Sequence, residues 1–172
     1  EEKRRAIEIT VDHIHGRVPV MAGAYGIGTK EAIRMVAMAK EAGADLVSVL
    51  TPMMITPNDE EIYQHYRAIA ESTDLPVTLY NNPDRTHVNI SAKVVERLAA
   101  IPNVAAVKDS SGDLGLMMDY IRRTADMDFD VLCGRDMLIF ANLTHGGSGS
   151  VGATANVAPA LLVVLYNKVQ QG

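Results

Sequence analysis

The stretch NVAAVKDSSG at 103–112 decides the fold class. Four apolar residues, Val104 to Val107, form a short unbroken run that ends at Lys108. A strand that is apolar without alternation is covered on both faces, which is typical of a parallel sheet flanked by helices. Lysine is almost never fully buried without a partner. Lys108 is therefore either a surface residue that leaves the sheet or a lysine held at a pocket for its chemistry.

The same pattern recurs along the chain, because short apolar runs alternate with segments of helical periodicity. In one such segment Ala32, Met35, Val36 and Ala39 share a face and Gly43 ends the helix. We expect helices over 1–15, 30–44, 58–73, 91–102 (with Ser91 as N-cap), 113–126, 137–147 and from 157 to 170. We expect strands over 17–25, 45–52, 75–83, 103–111, 129–136 and 148–156.

Six strands that alternate with helices permit two architectures, a doubly wound open sheet or a (β/α)8 barrel. Six strands are two short of a closed barrel. A nucleotide-binding open sheet is disfavoured, because AGAYGIG at 22–28 lacks the G-x-G-x-x-G spacing that cradles a pyrophosphate. No linker or low-complexity segment divides the chain, so 1–172 is expected to be one domain.

Composition narrows the class of protein further. The 172 residues are 48% hydrophobic with a net charge of −5, which gives no reason to expect a nucleic-acid partner. No apolar run is long enough to predict a membrane span. The single cysteine, Cys133, suits a reducing cytosol, so we expect a cytoplasmic protein. The termini are abrupt, and we expect a piece of a longer chain.

Two polar side chains stand where neighbouring strands end. In both architectures chemistry belongs at the carboxyl ends of the strands, and adjacent strands lie about 4.8 Å apart. Tyr80 and Lys108 are therefore expected side by side. Desolvation would lower the pKa of Lys108 and provide the neutral amine that a Schiff base requires. In the alternative interpretation Lys108 caps the strand in solvent and pairs with Asp109, while Tyr80 merely fills the rim.

Two motifs at this spacing carry a resemblance to a known family. YNNPDRT at 80–86, followed by VKDSSG at 107–112, resembles the dihydrodipicolinate synthase/N-acetylneuraminate lyase family. VPVMAGAYGIGTKEAI at 18–33 is similar to that family's third strand, and GGSGSVGATANVAP at 146–159 to its eighth. The resemblance implies a (β/α)8 TIM barrel that is incomplete here, with strands three to eight present and the first two strands and C-terminal helices missing.

The resemblance also implies roles for single residues. Lys108 would condense with the keto group of pyruvate, and Tyr80 would relay protons. Arg85 matches an arginine that holds the carboxylate of the second substrate. Val151 matches an apolar residue against the bound pyruvate. Gly134 matches a glycine in the substrate cleft, although a tight turn explains it equally well. No metal or organic cofactor is implied, because the imine with the substrate serves as the electron sink.

The implied reaction condenses pyruvate, or another 2-keto acid, with an aldehyde, as in the dihydrodipicolinate synthase step of lysine biosynthesis. One alternative is an aldolase or dehydratase for 2-keto-3-deoxy sugar acids, and another is a catalytically impaired member of the family. These alternatives stay open because Met53 and Met54 stand where the family commonly has two tyrosines, one of which enters the neighbouring subunit's proton relay. The threonine motif of the family's first strands is also absent from these residues.

Smaller departures concern loops and assembly. His87 stands where a glycine is usual, and Gly152 where a serine is frequent. We interpret His87 and His145 as loop residues without a catalytic role. Family members are usually tetramers built from tight dimers, and the apolar run Met53 to Ile55 is consistent with such a contact. We therefore expect a homo-oligomer, a dimer or a tetramer. The sequence identifies neither the acceptor aldehyde nor an allosteric ligand.

Overall fold

The computed structural model describes residues 1–172, and its centre is one six-stranded sheet in which every neighbouring pair is parallel. The strands are β1 (Met21–Gly23), β2 (Leu46–Leu50), β3 (Val77–Asn81), β4 (Val104–Asp109), β5 (Asp130–Cys133) and β6 (Gly149–Ser150). Each expected strand is present.

Helices precede and follow the strands, as the periodicity predicts. They are α1 (Glu2–Ile14), α2 (Thr29–Glu41), α3 (Asp59–Glu71), α4 (Pro83–Thr86), α5 (Ala92–Ala99), α6 (Leu114–Thr124), α7 (Ile139–Thr144) and α8 (Pro159–Gln171). The expected N-cap of α5 is confirmed, because the Ser91 side chain accepts a hydrogen bond from the amide of Val94. None of the helices combines the length and the apolar character that a membrane span requires.

The order of the strands decides between the two candidate architectures. It runs β1-β2-β3-β4-β5-β6, so each strand pairs with its neighbours in sequence. A doubly wound sheet reverses its strand order at a switch point, and no reversal occurs here. Winding in one direction curls the sheet into an incomplete (β/α)8 barrel, which confirms the expected fold class.

The hydrophobic core lies between the sheet and the surrounding helices. Val49, Leu79 and Val107 are fully buried on the outer face of the sheet. They belong to one cluster with buried helix residues such as Ile69 and Met117. Alternation along the strands sends the residues between them to the opposite side. We call that side, which bears Thr78, Tyr80, Ala106 and Lys108, the inner face.

Element boundaries near the C-terminus differ from the expectation. The predicted strand 148–156 is wrong beyond Ser150, because β6 ends there and Ala153–Asn156 form a 3-10 turn. The side chain of Asp136 stabilises this change of direction, since its Oδ1 accepts from the amide of Thr154 at 3.4 Å. A Cβ at Gly152 would lie 2.1 Å from the same oxygen, which explains the glycine at this position.

Two other boundaries were also missed. The predicted helix 137–147 is a 3-10 turn, Asp136–Leu138, continued by the shorter α7. The helix α4 within the expected loop after β3 was not predicted, although Pro83 at its first position favours a helix start. His87 closes α4 in the left-handed region with a φ of 57°, and His145 follows α7. Both are exposed loop residues, as expected.

Candidate active site

Tyr80 and Lys108 lie directly opposite each other at the carboxyl ends of β3 and β4. The parallel register pairs these two residues, so both side chains leave the inner face at the same level. Lys108 Nζ lies 4.1 Å from the centroid of the Tyr80 ring. The predicted adjacency is therefore confirmed. The amine of Lys108 and the phenol of Tyr80 lie next to each other, and both residues are half-buried.

The alternative interpretation of Lys108, as a surface residue paired with Asp109, is wrong. Asp109 is 1% exposed and points to the outer face, away from Lys108. Its carboxylate accepts hydrogen bonds from Asn81 Nδ2 at 2.7 Å and from Ser111 Oγ at 2.8 Å. Lys108 forms none of the ion pairs of the structure.

A buried polar network behind the pair fixes the two strand ends. Asn81 Nδ2 donates to Asp109 and to Asn89, and Asn81 Oδ1 accepts from the amide of Ile90 at 3.0 Å. The Tyr120 hydroxyl of α6 donates to the carbonyl of Ile90. Burial raises the pKa of Asp109, although the donors on Asn81 and Ser111 oppose that rise. The network therefore holds β3 and β4 in the register that aligns Tyr80 with Lys108.

The phenol of Tyr80 is polarised by its neighbours. Its hydroxyl accepts a hydrogen bond from Asn82 Nδ2 at 2.9 Å. Burial alone would raise the pKa of Tyr80, but the Ser110 hydroxyl, the Lys108 ammonium and the Asn82 amide outweigh it and lower that pKa. A phenol with a lowered pKa beside an amine is suited to passing protons to and from it.

A polar cavity of about 370 Å³ opens beside Tyr80. It is lined by Tyr80, Asn82, Asp84, Arg85, Ser110, Gly134 and Arg135. The cavity therefore contains Arg85 and Gly134, two of the residues that the resemblance singled out. Arg85 is exposed and takes part in none of the ion pairs, so its guanidinium is free to bind an anion.

Gly134 is required by a close approach of two chain segments. A Cβ at this position would lie 2.0 Å from Ser110 Oγ and 3.0 Å from the carbonyl oxygen of Asp109. The amide of Gly134 donates to that same carbonyl at 2.7 Å. The φ of Gly134 lies outside the left-handed region, so the close approach and not a positive φ requires the glycine. The glycine lets the chain pass from β5 beside the end of β4, next to the cavity.

Val151 lies one residue beyond β6 and outside the lining of this cavity. Its amide donates to the carbonyl of Cys133 at 2.9 Å, which extends the β5–β6 ladder by one bond. The side chain is 40% exposed. Its expected contact with a bound keto acid remains a prediction.

Sequence reasoning did not select Tyr25, although it lies two residues beyond the end of β1. Its ring centroid lies 6.0 Å from that of Tyr80, with the planes tilted by 50°. Burial raises the pKa of Tyr25. A Cβ at Gly23 would lie 2.8 Å from the Tyr25 ring, so glycine makes room for this ring on the inner face. The position at a strand end was the available signal, but no motif assigned a role to it.

The loop after β2 brings methionines, not phenols, to this end of the sheet. The Met53 amide donates to the carbonyl of Ile27 at 3.1 Å, and its side chain is half-buried. Met54 and Ile55 are 85% and 84% exposed.

No three His, Cys, Asp or Glu side chains come together as a metal-binding group would require. The polar ligands that the site offers are therefore an amine, phenols, amides and guanidiniums.

Comparison with known proteins places the chain in a family. The model of the dihydrodipicolinate synthetase family matches residues 1–172. The chain belongs to that family. A curated 4-hydroxy-tetrahydrodipicolinate synthase from Syntrophus aciditrophicus is 45% identical over 172 residues, which are 100% of this chain and 59% of that protein.

Solved structures of the dihydrodipicolinate synthetase family share the fold. Dihydrodipicolinate synthase from Thermotoga maritima aligns with a TM-score of 0.96 and 33% identity over 99% of this chain and 59% of that one. A prophage protein of the family from E. coli, solved in complex with pyruvate, gives a TM-score of 0.94 and 31% identity over 99% of this chain and 58% of that one. The chain thus spans somewhat under two thirds of the length of these relatives.

Proposed function

We propose that this chain is part of a lyase of the 4-hydroxy-tetrahydrodipicolinate synthase type, which serves lysine biosynthesis. The enzyme would condense pyruvate with an aldehyde through an imine on Lys108. The observation that carries the proposal is the placement of Lys108 Nζ 4.1 Å from the Tyr80 ring centroid at the carboxyl ends of adjacent strands. The names of the relatives that match the whole chain support the same reaction.

In the proposed reaction the neutral amine of Lys108 attacks the keto carbon of pyruvate. Loss of water from the carbinolamine gives a protonated imine, which withdraws electrons from the methyl carbon and allows it to lose a proton. The resulting enamine attacks the aldehyde carbon and forms a carbon–carbon bond, while the aldehyde oxygen takes up a proton. Water or an amine of the product then releases Lys108. No metal or organic cofactor enters this sequence.

Tyr80 has the proton-transfer role in this scheme. Carbinolamine formation and loss of water both require a proton to move at the nitrogen or oxygen beside Lys108. The pKa of the Tyr80 phenol is lowered by Ser110, Lys108 and Asn82 against the effect of burial, so it exchanges protons more readily than an ordinary tyrosine. General acid–base assistance of this kind accelerates a step by roughly 10²–10⁴-fold.

The cavity beside Tyr80 would bind the second substrate. Arg85 presents a guanidinium that is free to hold a carboxylate through two parallel hydrogen bonds. Gly134 would leave room for the substrate at the cavity wall, and Val151 would contact the keto acid from β6. Exposed Met54 and Ile55 are consistent with a homo-oligomer, a dimer or a tetramer, and we infer a cytoplasmic location from the single buried cysteine.

A second candidate is an aldolase or dehydratase for 2-keto-3-deoxy sugar acids. It is favoured by Met53 and Met54, which provide no exchangeable proton where related enzymes commonly have tyrosines. A change in the relay would suit a different acceptor. A catalytically impaired member would retain the fold and the keto-acid pocket without turnover.

The choice among these candidates is tested by the acceptor. Pyruvate consumption is measured with succinic semialdehyde, which carries a carboxylate, and with glyceraldehyde, which is neutral. The proposed function predicts turnover with the acidic aldehyde that is lost in Lys108→Met and retained in Lys93→Met, a control at an exposed helix position. Turnover with glyceraldehyde alone would favour the sugar acid enzyme. No turnover with either would favour the impaired member.

A further inference from the structure

Arg135 lines the cavity, and two hydrogen bonds hold its guanidinium. It follows β5 directly after Gly134, and its Nε donates to the carbonyl of Ser110 at 2.9 Å. One terminal nitrogen, Nη2, pairs with the carboxylate of Asp84 on α4. The other, Nη1, has no hydrogen-bond partner. Two of the three guanidinium nitrogens are therefore engaged, and Nη1 is the one left to bind a ligand in the cavity that Arg135 lines.

The charges around the cavity favour an anion. Arg85 and Arg135 both line it, and the only carboxylate in the lining is Asp84. Two guanidiniums and one carboxylate leave a net charge of +1 at the opening. Asp84 neighbours Arg85 in sequence but pairs with Arg135, so it neutralises one cation and leaves the other free.

We propose that Arg135 is a specificity-determining residue which, together with Arg85, binds the acidic group of a carboxylate-bearing aldehyde, and that Asp84 competes with that group for Arg135. This inference rests on the proposed function, in which the cavity receives the acceptor aldehyde. The occupant is an aldehyde with a carboxylate, because a monoanion balances the net charge at the opening. The unpaired guanidinium of Arg85 can hold a carboxylate through two parallel hydrogen bonds, and Nη1 of Arg135 can add a third.

A purely structural role for Arg135 makes a different prediction. Suppose that the Asp84–Arg135 pair only connects the loop after β3 to the loop after β5. In that case removal of either partner breaks the same ion pair and changes the affinity for the ligand in the same direction. If Arg135 binds the ligand, the two changes have opposite signs. Loss of Arg135 removes a donor for the carboxylate, whereas loss of the Asp84 charge removes a competitor for it.

The test is equilibrium binding of succinic semialdehyde by calorimetry, with butanal as the uncharged probe. All variants carry Lys108→Met, so that no imine forms at position 108. We expect Arg135→Gln to weaken binding of succinic semialdehyde by about tenfold or more. We expect Asp84→Asn to strengthen it by about threefold, since exposed ion pairs are weak. Butanal binding should not change in either variant. Arg67→Gln, which removes one cation from an exposed pair on α3, is the control for net charge.

The inference is overturned if Arg135→Gln and Asp84→Asn shift the affinity in the same direction, or if Arg135→Gln leaves it unchanged. Far-UV circular dichroism of each variant identifies loss of fold, and Arg135→Lys, which keeps the charge without the fork, should restore only part of the affinity. The proposed function fails separately, because it is tested by reduction of a pyruvate imine on Lys108 in the unsubstituted chain. Binding of the acidic aldehyde can therefore succeed where imine formation does not.

Discussion

Tyr80 and Lys108 influence each other through a distance of 4.1 Å between the ammonium nitrogen and the ring centroid. The phenolate form of Tyr80 is favoured by the positive charge of Lys108 as well as by Ser110 and Asn82. Burial has the opposite effect and is the largest single influence, yet the polar neighbours together exceed it. The acid–base behaviour of this phenol is therefore a property of the pair and not of the tyrosine alone.

The first prediction concerns the titration of Tyr80. Removal of the Lys108 charge by Lys108→Met should raise the pKa of Tyr80, because burial then acts against fewer stabilising groups. The ultraviolet absorbance of phenolate reports the titration, and subtraction of the Tyr80→Phe variant isolates this residue among the six tyrosines. Lys93→Met is the matched control and should leave the curve in place. An unchanged pKa in Lys108→Met would show that the ammonium does not stabilise the phenolate.

At the scale of residues, the sequence predicts which side chains lie next to each other at strand ends, but not which side chains from distant loops pair. The neighbouring positions of Tyr80 and Lys108 follow from the carboxyl ends of two parallel strands. Arg135 and Asp84 are 51 residues apart in sequence, and only the fold brings their loops together. The same holds for Gly134. A side chain cannot fit at this position because Ser110 lies so close to it. No local pattern encodes either contact.

Among the elements, β3 and β4 depend on the polar network between the sheet and α6. Asn81 contacts Asp109, Asn89 and the amide of Ile90, all behind Tyr80 and Lys108. The second prediction is that Asn81→Ala lowers the free energy of unfolding by about 2–4 kcal/mol, because it leaves several buried polar groups without partners. Urea denaturation measures this loss. Asn156→Ala, at an exposed position, should change stability by less than about 0.5 kcal/mol, and a similar loss in both variants would contradict the account.

His65 links α3 to the start of α2 and to the end of β2. Its Nδ1 lies 2.9 Å from Thr29 Oγ1, and its Nε2 lies 3.3 Å from the carbonyl of Leu50. Burial lowers the pKa of His65 from 6.5 to about 4. The unfolded chain therefore takes up this proton at a higher pH than the folded one.

The third prediction follows from that difference. The contribution of His65 is fully present above pH 6.5 and is lost as the pH falls towards 4, with a maximum loss of about 3 kcal/mol. Urea denaturation at pH 7 and pH 5 measures it as a fall in the free energy of unfolding. His65→Gln should show a smaller fall than the unsubstituted chain, and His13→Gln, at an exposed position on α1, should show the same fall. Equal falls in all three proteins would refute the assignment.

Elements were predicted well where local signals exist. The N-cap of α5 and the stop of α2 before Gly43 are encoded within a few residues. The end of β6 was not, because a carboxylate on another segment, Asp136, captures the amide of Thr154. The 3-10 turn before α7 likewise has no apolar periodicity of its own to reveal it. Errors therefore fall where a distant side chain sets the backbone direction.

At the scale of the whole molecule, the fold follows from apolar strands that are covered on both faces and from a winding that never reverses. The first feature is visible in the sequence, and it limited the choice to two architectures. The direction of winding depends on the order of the strands in the sheet, which composition and periodicity do not predict. The paired motifs around Tyr80 and Lys108 closed that gap, because they resemble one family, and the family match over residues 1–172 confirms it.

The central claim is that Lys108 forms an imine with pyruvate, and reductive trapping tests it most directly. The protein is incubated with pyruvate, reduced with borohydride, digested and mapped by mass spectrometry, with Lys108→Met and Lys93→Met treated in parallel. We predict one reduced pyruvate adduct on the peptide that carries Lys108, retained in Lys93→Met and lost in Lys108→Met. Absence of an adduct, or adducts spread over exposed lysines and retained in Lys108→Met, would contradict the account.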